Sequence, residues 1–229
     1  MQEQLPLTLQ FPESLRFDNF FDGANEQSLA HLKSLHTASS QCVFLWGSVG
    51  CGKTHLCQAL YHHLAEHDQQ PAFIDVAEPG IQPQVLEGVE IFNTLIIDGI
   101  DAVIMQKPWQ EALFHVYNRM MANQGNLIIA ARVAPQNIES LLPDLASRLL
   151  SGLVFHIKEM SDNGKLYAMK QRATEYGFDL PNDVGIYLLN HAPRGSHELF
   201  QQLRALDRAS LVHKRKLTIP FVKEVLSLS

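Results

Sequence analysis

Five short apolar runs punctuate the first two thirds of the chain: CVFLW (42–46), AFIDV (72–76), TLIID (94–98), NLIIAA (126–131) and LVFHI (153–157). They alternate poorly between polar and apolar positions, so each predicts a strand buried on both faces rather than one edge-on to solvent. The segments between them are long enough for crossover helices. Together these features predict an α/β fold, a buried parallel sheet with helices on both sides.

The pattern changes after residue 160. Ser161 is placed to cap a helix that runs to Gly177, a residue suited to the C′ position. Pro181 fits the first turn of a second helix. SHELFQQLRALDRASLVHK carries apolar residues at 199, 200, 203, 206 and 211, a helical stripe. Thr218 with Pro220 opens a last helix through FVKEVL. Residues 161–229 therefore read as a small all-helical domain after a core of residues 14–160. Residues 1–13 belong to neither, because Pro6 and Pro12 favour an extended chain.

Apolar residues make up 46% of the 229 positions and charged residues 18%, which suits a globular chain with a sizeable core and excludes a disordered one. The net charge of −6 lacks the basic excess of a protein that grips duplex DNA alone, so strong independent DNA binding is not expected. Cys42, Cys51 and Cys57 have no metal-ligand or C-x-x-C spacing and read as free thiols of a reducing compartment. No basic-then-apolar leader opens the sequence, and no run reaches the ~18 apolar residues of a membrane span. A cytoplasmic location is the expectation.

The strongest chemical signal is GSVGCGKT, Gly47 to Thr54, between strand CVFLW and helix THLCQALYHHLAEH. This is G-x-x-x-x-G-K-T in its strand–loop–helix context. Glycines allow the tight turn, and backbone N–H groups with the helix N-terminus hold phosphate oxygens. Lys53 reaches the outer phosphates and Thr54 is placed to ligate Mg²⁺. Asp98, at the end of TLIID, is a charge on a buried strand and needs a counter-ion, for which Mg²⁺ is suited. Asp101 lies three residues on, away from the expected place of a second acid. His63 and His67 share i, i+4 spacing with no third ligand suggested, so a solvated helix face is preferred to a metal site. Lys214, Arg215 and Lys216 read as a solvated helix end.

Four stretches, FDNFFDGANEQSL (17–29), FLWGSVGCGKTHL (44–56), TLIIDGID (94–101) and LPDLASRLLSGLVF (142–155), resemble the AAA+ ATPase module of the DnaA-like family. The likeness runs from about residue 14 to the end. It points to the family's short regulatory branch, since no helix-turn-helix domain follows RKLTIPFVKEVL and QLPLTL (4–9) resembles a sliding-clamp-binding peptide. The resemblance implies a P-loop NTPase-type αβα sandwich with a five-stranded parallel sheet and a helical lid. It implies a nucleotide site of Gly47, Ser48, Val49, Gly50, Cys51, Gly52, Lys53, Thr54 and His55, with Thr54 and Asp98 on Mg²⁺ and Phe17 and Phe20 near the base. Arg148 matches an arginine finger that acts on a neighbour's nucleotide. Gln4, Leu5, Leu7 and Leu9 match the clamp-binding residues, and the alternating leucines suit an extended peptide anchored in a groove.

The departures are informative. Gly99 stands where a second acid is usual, Ala130 and Ala131 where a polar sensor is usual, and His197, with Arg194 one turn earlier, near the lid's sensor arginine. Groups that hold a diphosphate remain, while those that read or attack a γ-phosphate are missing or altered. The expectation is a chain that holds ADP or another nucleoside diphosphate and is not itself an enzyme. It would join the sliding clamp, the beta subunit of DNA polymerase, to ATP-bound DnaA and stimulate hydrolysis there, preventing re-initiation. A homodimer or AAA+ self-assembly is compatible with this. The alternative is an autonomous ATPase of helicase-loader type that acts on DNA.

Overall fold

The structure, a computed structural model, describes residues 15–21, 23–191, 196–213 and 215–226. Strands β1 (Cys42–Trp46), β2 (Pro71–Asp75), β3 (Thr94–Asp98), β4 (Asn126–Ala131) and β5 (Leu153–His156) form one sheet in the order β2-β3-β4-β1-β5. Every pairing is parallel. The first and third strands in sequence are thus separated by β4, which opens a crevice at the carboxyl ends of β1 and β3, the usual place for a ligand in such sheets.

Period-two alternation divides the strand residues between two cores. Phe44, Leu95, Ile97 and Ile129 pack under α3 (Lys107–Ala122) and α4 (Pro143–Ser151). Val43, Leu45, Ile96, Ile128 and Ala130 pack under α1 (Glu26–Ser34) and α2 (Lys53–Glu66). Both faces are covered, which explains why the runs are apolar throughout. The fold is the αβα class expected from the sequence. Strand limits move by a residue in two strands: β2 is shifted to Pro71–Asp75, and β5 ends at His156.

Four further helices make their own core: α5 (Asp162–Glu175), α6 (Asn182–His191), α7 (Ser196–His213) and α8 (Ile219–Leu226). Met169, Leu188, Leu203 and Phe221 lie at its centre. Ser161 caps α5 by accepting the Gly164 N–H at 3.2 Å, and Gly177 follows the helix at φ +86°. Pro181 stands one residue ahead of α6 rather than inside its first turn; its carbonyl accepts the Gly185 N–H. Thr218 caps α8, accepting from the Phe221 N–H at 3.4 Å.

One part of the expected α7 stripe is corrected. Leu199, Leu203 and Leu206 are buried, but Leu211 is 70% exposed. It lies five residues beyond Leu206, well around a 3.6-residue turn from the buried seam. No described helix is long and apolar enough to cross a membrane.

Candidate functional site

The loop from Gly47 to Gly52 joins β1 to α2, and its N-cap, Gly52, has no side chain to cap the α2 N-terminus. Its first N–H groups and its dipole are therefore directed at whatever occupies the crevice. Gly52 is the N-cap, at φ +104°. A Cβ there would meet the Phe20 ring at 2.7 Å, so the aromatic wall of the site packs directly on glycine backbone. Lys53 Nζ donates to the Gly47 carbonyl at 2.8 Å and the Ser48 carbonyl at 2.9 Å. An anion seated on the loop would compete for that ammonium.

Thr54 Oγ1 donates to Asp98 Oδ2 at 2.6 Å, and the Gly99 N–H donates to Asp98 Oδ1 at 2.9 Å. Burial pushes the Asp98 pKa up; the Thr54 bond, the Gly99 bond and Lys53 oppose that, while Asp75 adds to it. An ionised carboxylate held at a cost beside a hydroxyl is a donor set that fits a hard cation such as Mg²⁺. Asp75 is the neighbour that sequence reading missed. It ends β2 in register with Asp98 at the end of β3, and both line one cavity beside Lys53 and Thr54. The signal was available: AFID and LIID end in the same way, but only strand order makes the two acids adjacent.

Gly99 has a positive φ of +74°, and a Cβ there would lie 2.8 Å from the Ala77 Cβ and 2.9 Å from Asp75 Oδ1. The expected place of a second acid is thus closed to any side chain. Asp101 and Arg132 line the same cavity, but both Asp101 oxygens are engaged by the Arg132 N–H, at 2.9 and 2.7 Å. At the sensor position, Ala130 offers only a methyl to the same cavity.

Beside the loop lies a cavity of about 520 Å³, lined by Val49, Gly50, Cys51, Gly52, Lys53, Thr54 and His55 on one side. Phe20, Phe21 and Met160 form an apolar wall, and Ala168 and Arg172 of α5 with Phe200 of α7 close it from the helical domain. Its size and mixed lining suit a nucleotide base and sugar. His55 donates from Nε2 to the Arg16 carbonyl at 2.9 Å and meets Phe20 edge-on at 5.3 Å. Burial of the ring pushes its pKa down to about 4.

Phe17 does not line this cavity. It is buried beneath α2, meets His63 edge-on at 5.4 Å and borders the adjacent groove. Arg194 and the side chain of His197 lie outside the described residues, as do Gln4, Leu5, Leu7 and Leu9. Arg172, unforeseen from the sequence, is a described lid cation at the cavity. It is nearly buried, 3.3 Å from Glu175 Oε2 and with its guanidinium 5.5 Å from the Phe200 ring centre.

Arg148 lines neither cavity. Its guanidinium lies 4.9 Å from the Phe114 ring centre and 5.4 Å from that of Tyr117, both on α3. Its Nε is buried without a hydrogen-bond partner. Among the described residues no ion pair joins it to Asp144, the partner that i, i+4 spacing offered.

The chain matches the model of the bacterial DnaA ATPase domain over residues 11–156 and that of the Hda lid domain over residues 162–226. In structure it resembles domain III of the Thermotoga maritima replication initiation protein DnaA, with a TM-score of 0.82 at 18% identity, covering 94% of this chain and 97% of that one. AMPPCP-bound DnaA from Aquifex aeolicus aligns with a TM-score of 0.75 at 20% identity, over 89% of this chain and 69% of that one. A RuvB variant from Thermotoga maritima aligns with a TM-score of 0.70 at 14% identity, over 93% and 72%. At such identities the structural likenesses establish the fold. The DnaA model spans well over half the sequence and carries the phosphate loop, Asp98 and Arg148, and on that match the chain belongs to the DnaA-like AAA+ family.

Proposed function

We propose that this chain is a nucleotide-bound adaptor that acts on DnaA rather than an ATPase in its own right. ADP with Mg²⁺ would sit on the uncapped α2 N-terminus, with Lys53 on the phosphates and Thr54 and Asp98 on the cation. Phe20 and the α5–α7 face would hold the base and sugar. Mg²⁺ bound there would offset the Asp98 charge and that of the phosphates. The closed position at Gly99 and the methyl of Ala130 support a holding role, since no side chain from either can read or activate at a γ-phosphate. The A. aeolicus relative was solved with AMPPCP, which supports an adenine nucleotide as occupant.

The observation that carries the reading is Arg148. It lines neither cavity described above, has no carboxylate partner among the described residues, and is braced on two aromatic rings with Nε unsatisfied. A braced guanidinium can stabilise charge developing on a neighbour's phosphoryl group, an effect of ~10³–10⁵ in well-studied arginine fingers. The partner is ATP-bound DnaA, and the clamp link rests on the resemblance of residues 4–9 to a clamp-binding peptide. The test is ATP hydrolysis by DnaA in the presence of DNA-loaded clamp. Wild-type protein should stimulate it, while Arg148→Ala should bind nucleotide normally and fail to stimulate. Arg148→Lys should fail as well, because a point charge does not reproduce the planar fork. Full stimulation by Arg148→Ala would overturn the assignment.

Asp75 favours a second reading. A second carboxylate beside Asp98 could orient water, which would suit an autonomous ATPase of helicase-loader type. Rapid ATP turnover by the isolated protein, stimulated by DNA and lost in Asp75→Asn, would decide for it.

A further inference from the structure

We propose that His36, His63 and His67 form a binding site for a zinc-class divalent cation on the surface where the 3₁₀ turn Leu35–Thr37 meets the end of α2. The sequence shows only the i, i+4 pair on α2; the fold brings His36 to it from 27 positions earlier. One ligand atom from each of the three side chains lies within 4.8 Å of the other two. The ring centres are 5.3 Å apart for His36–His63, 4.4 Å for His36–His67 and 4.3 Å for His63–His67.

The hydrogen bonds around the rings argue for a ligand. His36 Nδ1 lies 2.7 Å from the Lys33 carbonyl, His63 Nε2 lies 3.0 Å from the same carbonyl, and His67 Nδ1 lies 2.8 Å from the His63 carbonyl. A carbonyl only accepts, so each of those nitrogens carries the proton. In the neutral form of each ring, the form that binds a metal, the opposite nitrogen (His36 Nε2, His63 Nδ1, His67 Nε2) is a bare lone pair. An imidazole that donates one N–H to a backbone carbonyl and offers the other nitrogen is the arrangement of metal-ligating histidines, because the carbonyl fixes the tautomer and raises the ligand's basicity. A cation bound among the three rings would take one nitrogen from each.

Charge and geometry agree. His67 is the C-cap of α2, where the helix dipole favours positive charge. Nitrogen donors select zinc-class ions over Mg²⁺ or Ca²⁺, which prefer oxygen. Tetrahedral coordination with Zn–N bonds of ~2.0–2.1 Å needs nitrogens about 3.3 Å apart, so binding draws the rings inward. His67 is exposed and the other two are part-exposed, which leaves room for that movement and for a water as fourth ligand. A bound ion would pin the turn after α1 to α2. Through the His63–Phe17 contact it would also brace the segment that leads to Phe20.

The test uses untagged full-length protein stripped with EDTA. Co²⁺ should bind with one equivalent and give the visible bands of a tetrahedral site. Zn²⁺ should displace it and raise the melting temperature, while equal Mg²⁺ does neither. His36→Gln and His67→Gln should each weaken Zn²⁺ by more than about tenfold and abolish the Co²⁺ bands, since removing a ligand exceeds the effect of removing its support. The exposed His115→Gln should leave both unchanged. The proposal fails if His36→Gln and His67→Gln bind as the parent does. It fails equally if the Co²⁺ spectrum shows thiolate charge transfer that disappears in Cys51→Ser, or if no metal binds at micromolar concentration and the three rings are a solvated cluster only.

Discussion

Gly99 tests why this site lacks its second acid. Gly99→Ala adds one methyl at a backbone with φ +74°, where an L side chain costs about 1–2 kcal/mol. That methyl would meet the Ala77 Cβ at 2.8 Å and Asp75 Oδ1 at 2.9 Å. Neither neighbour yields freely: Ala77 has no rotamer to change, and the Asp75 oxygen accepts the Ala77 N–H at 2.9 Å. Forced overpacking adds about 1–3 kcal/mol. The sum, about 2–5 kcal/mol, corresponds to a melting temperature lower by ~4–20 °C for a chain of this size. Gly99→Glu, which supplies the acid that related sites carry, should destabilise at least as much and gain no ATP turnover, because it displaces Asp75 and disturbs Asp98. Thermal melts read the first effect, and steady-state hydrolysis with ADP affinity the second. A Gly99→Ala protein that melts with the parent would refute the steric account. Brisk turnover by a well-folded Gly99→Glu would refute the claim that the position is closed.

Lys53→Ala should weaken ADP binding strongly in calorimetry, since Lys53 is the loop's side-chain cation, and ADP should no longer raise its melting temperature; unchanged affinity would remove Lys53 from the site. Asp98→Asn should melt higher than the parent without ligand, because burial makes the ionised carboxylate costly, yet lose the Mg²⁺ dependence of nucleotide binding; a lower melting temperature would contradict that sign. His55, with its pKa pushed down to about 4, binds a proton more readily when unfolded, so it contributes stability at pH 7 that is lost as pH falls from ~6.5 towards 4. His55→Leu should flatten the fall in melting temperature across that window, and an unchanged profile would show that the acid sensitivity lies elsewhere. Replacing Leu5 and Leu7 by alanine removes two anchors of ~1.5–3 kcal/mol each if buried on a partner, so clamp affinity should collapse with the melting temperature unchanged. Parent-like clamp binding by a variant lacking residues 1–10 would sink the tail assignment.

What the sequence determined is what short-range physics encodes. Five apolar runs announce strands because a residue buried on both faces of a sheet has no polar alternative. GSVGCGKT announces a phosphate loop because glycine backbone, helix start and lysine must be contiguous to act together. Ser161, Gly177 and Thr218 mark helix ends through bonds that span three or four residues. What only the tertiary structure decided depends on which distant segments become neighbours. Strand order sets Asp75 beside Asp98, and the bend at Ala77 closes the space above Gly99. The docking of α5 and α7 brings Arg172 and Phe200 to the cavity. The burial of Phe17 beneath α2, where a place beside the base was expected, reflects packing that no local pattern specifies. The exposure of Leu211 is different: its apolar character fits the stripe, but its angle on the helix, a local property, already turns it from the buried seam. His36 makes the same point as Phe17: its spacing to His63 carries no periodicity, and only the fold of α1 against α2 turns a pair of histidines into three.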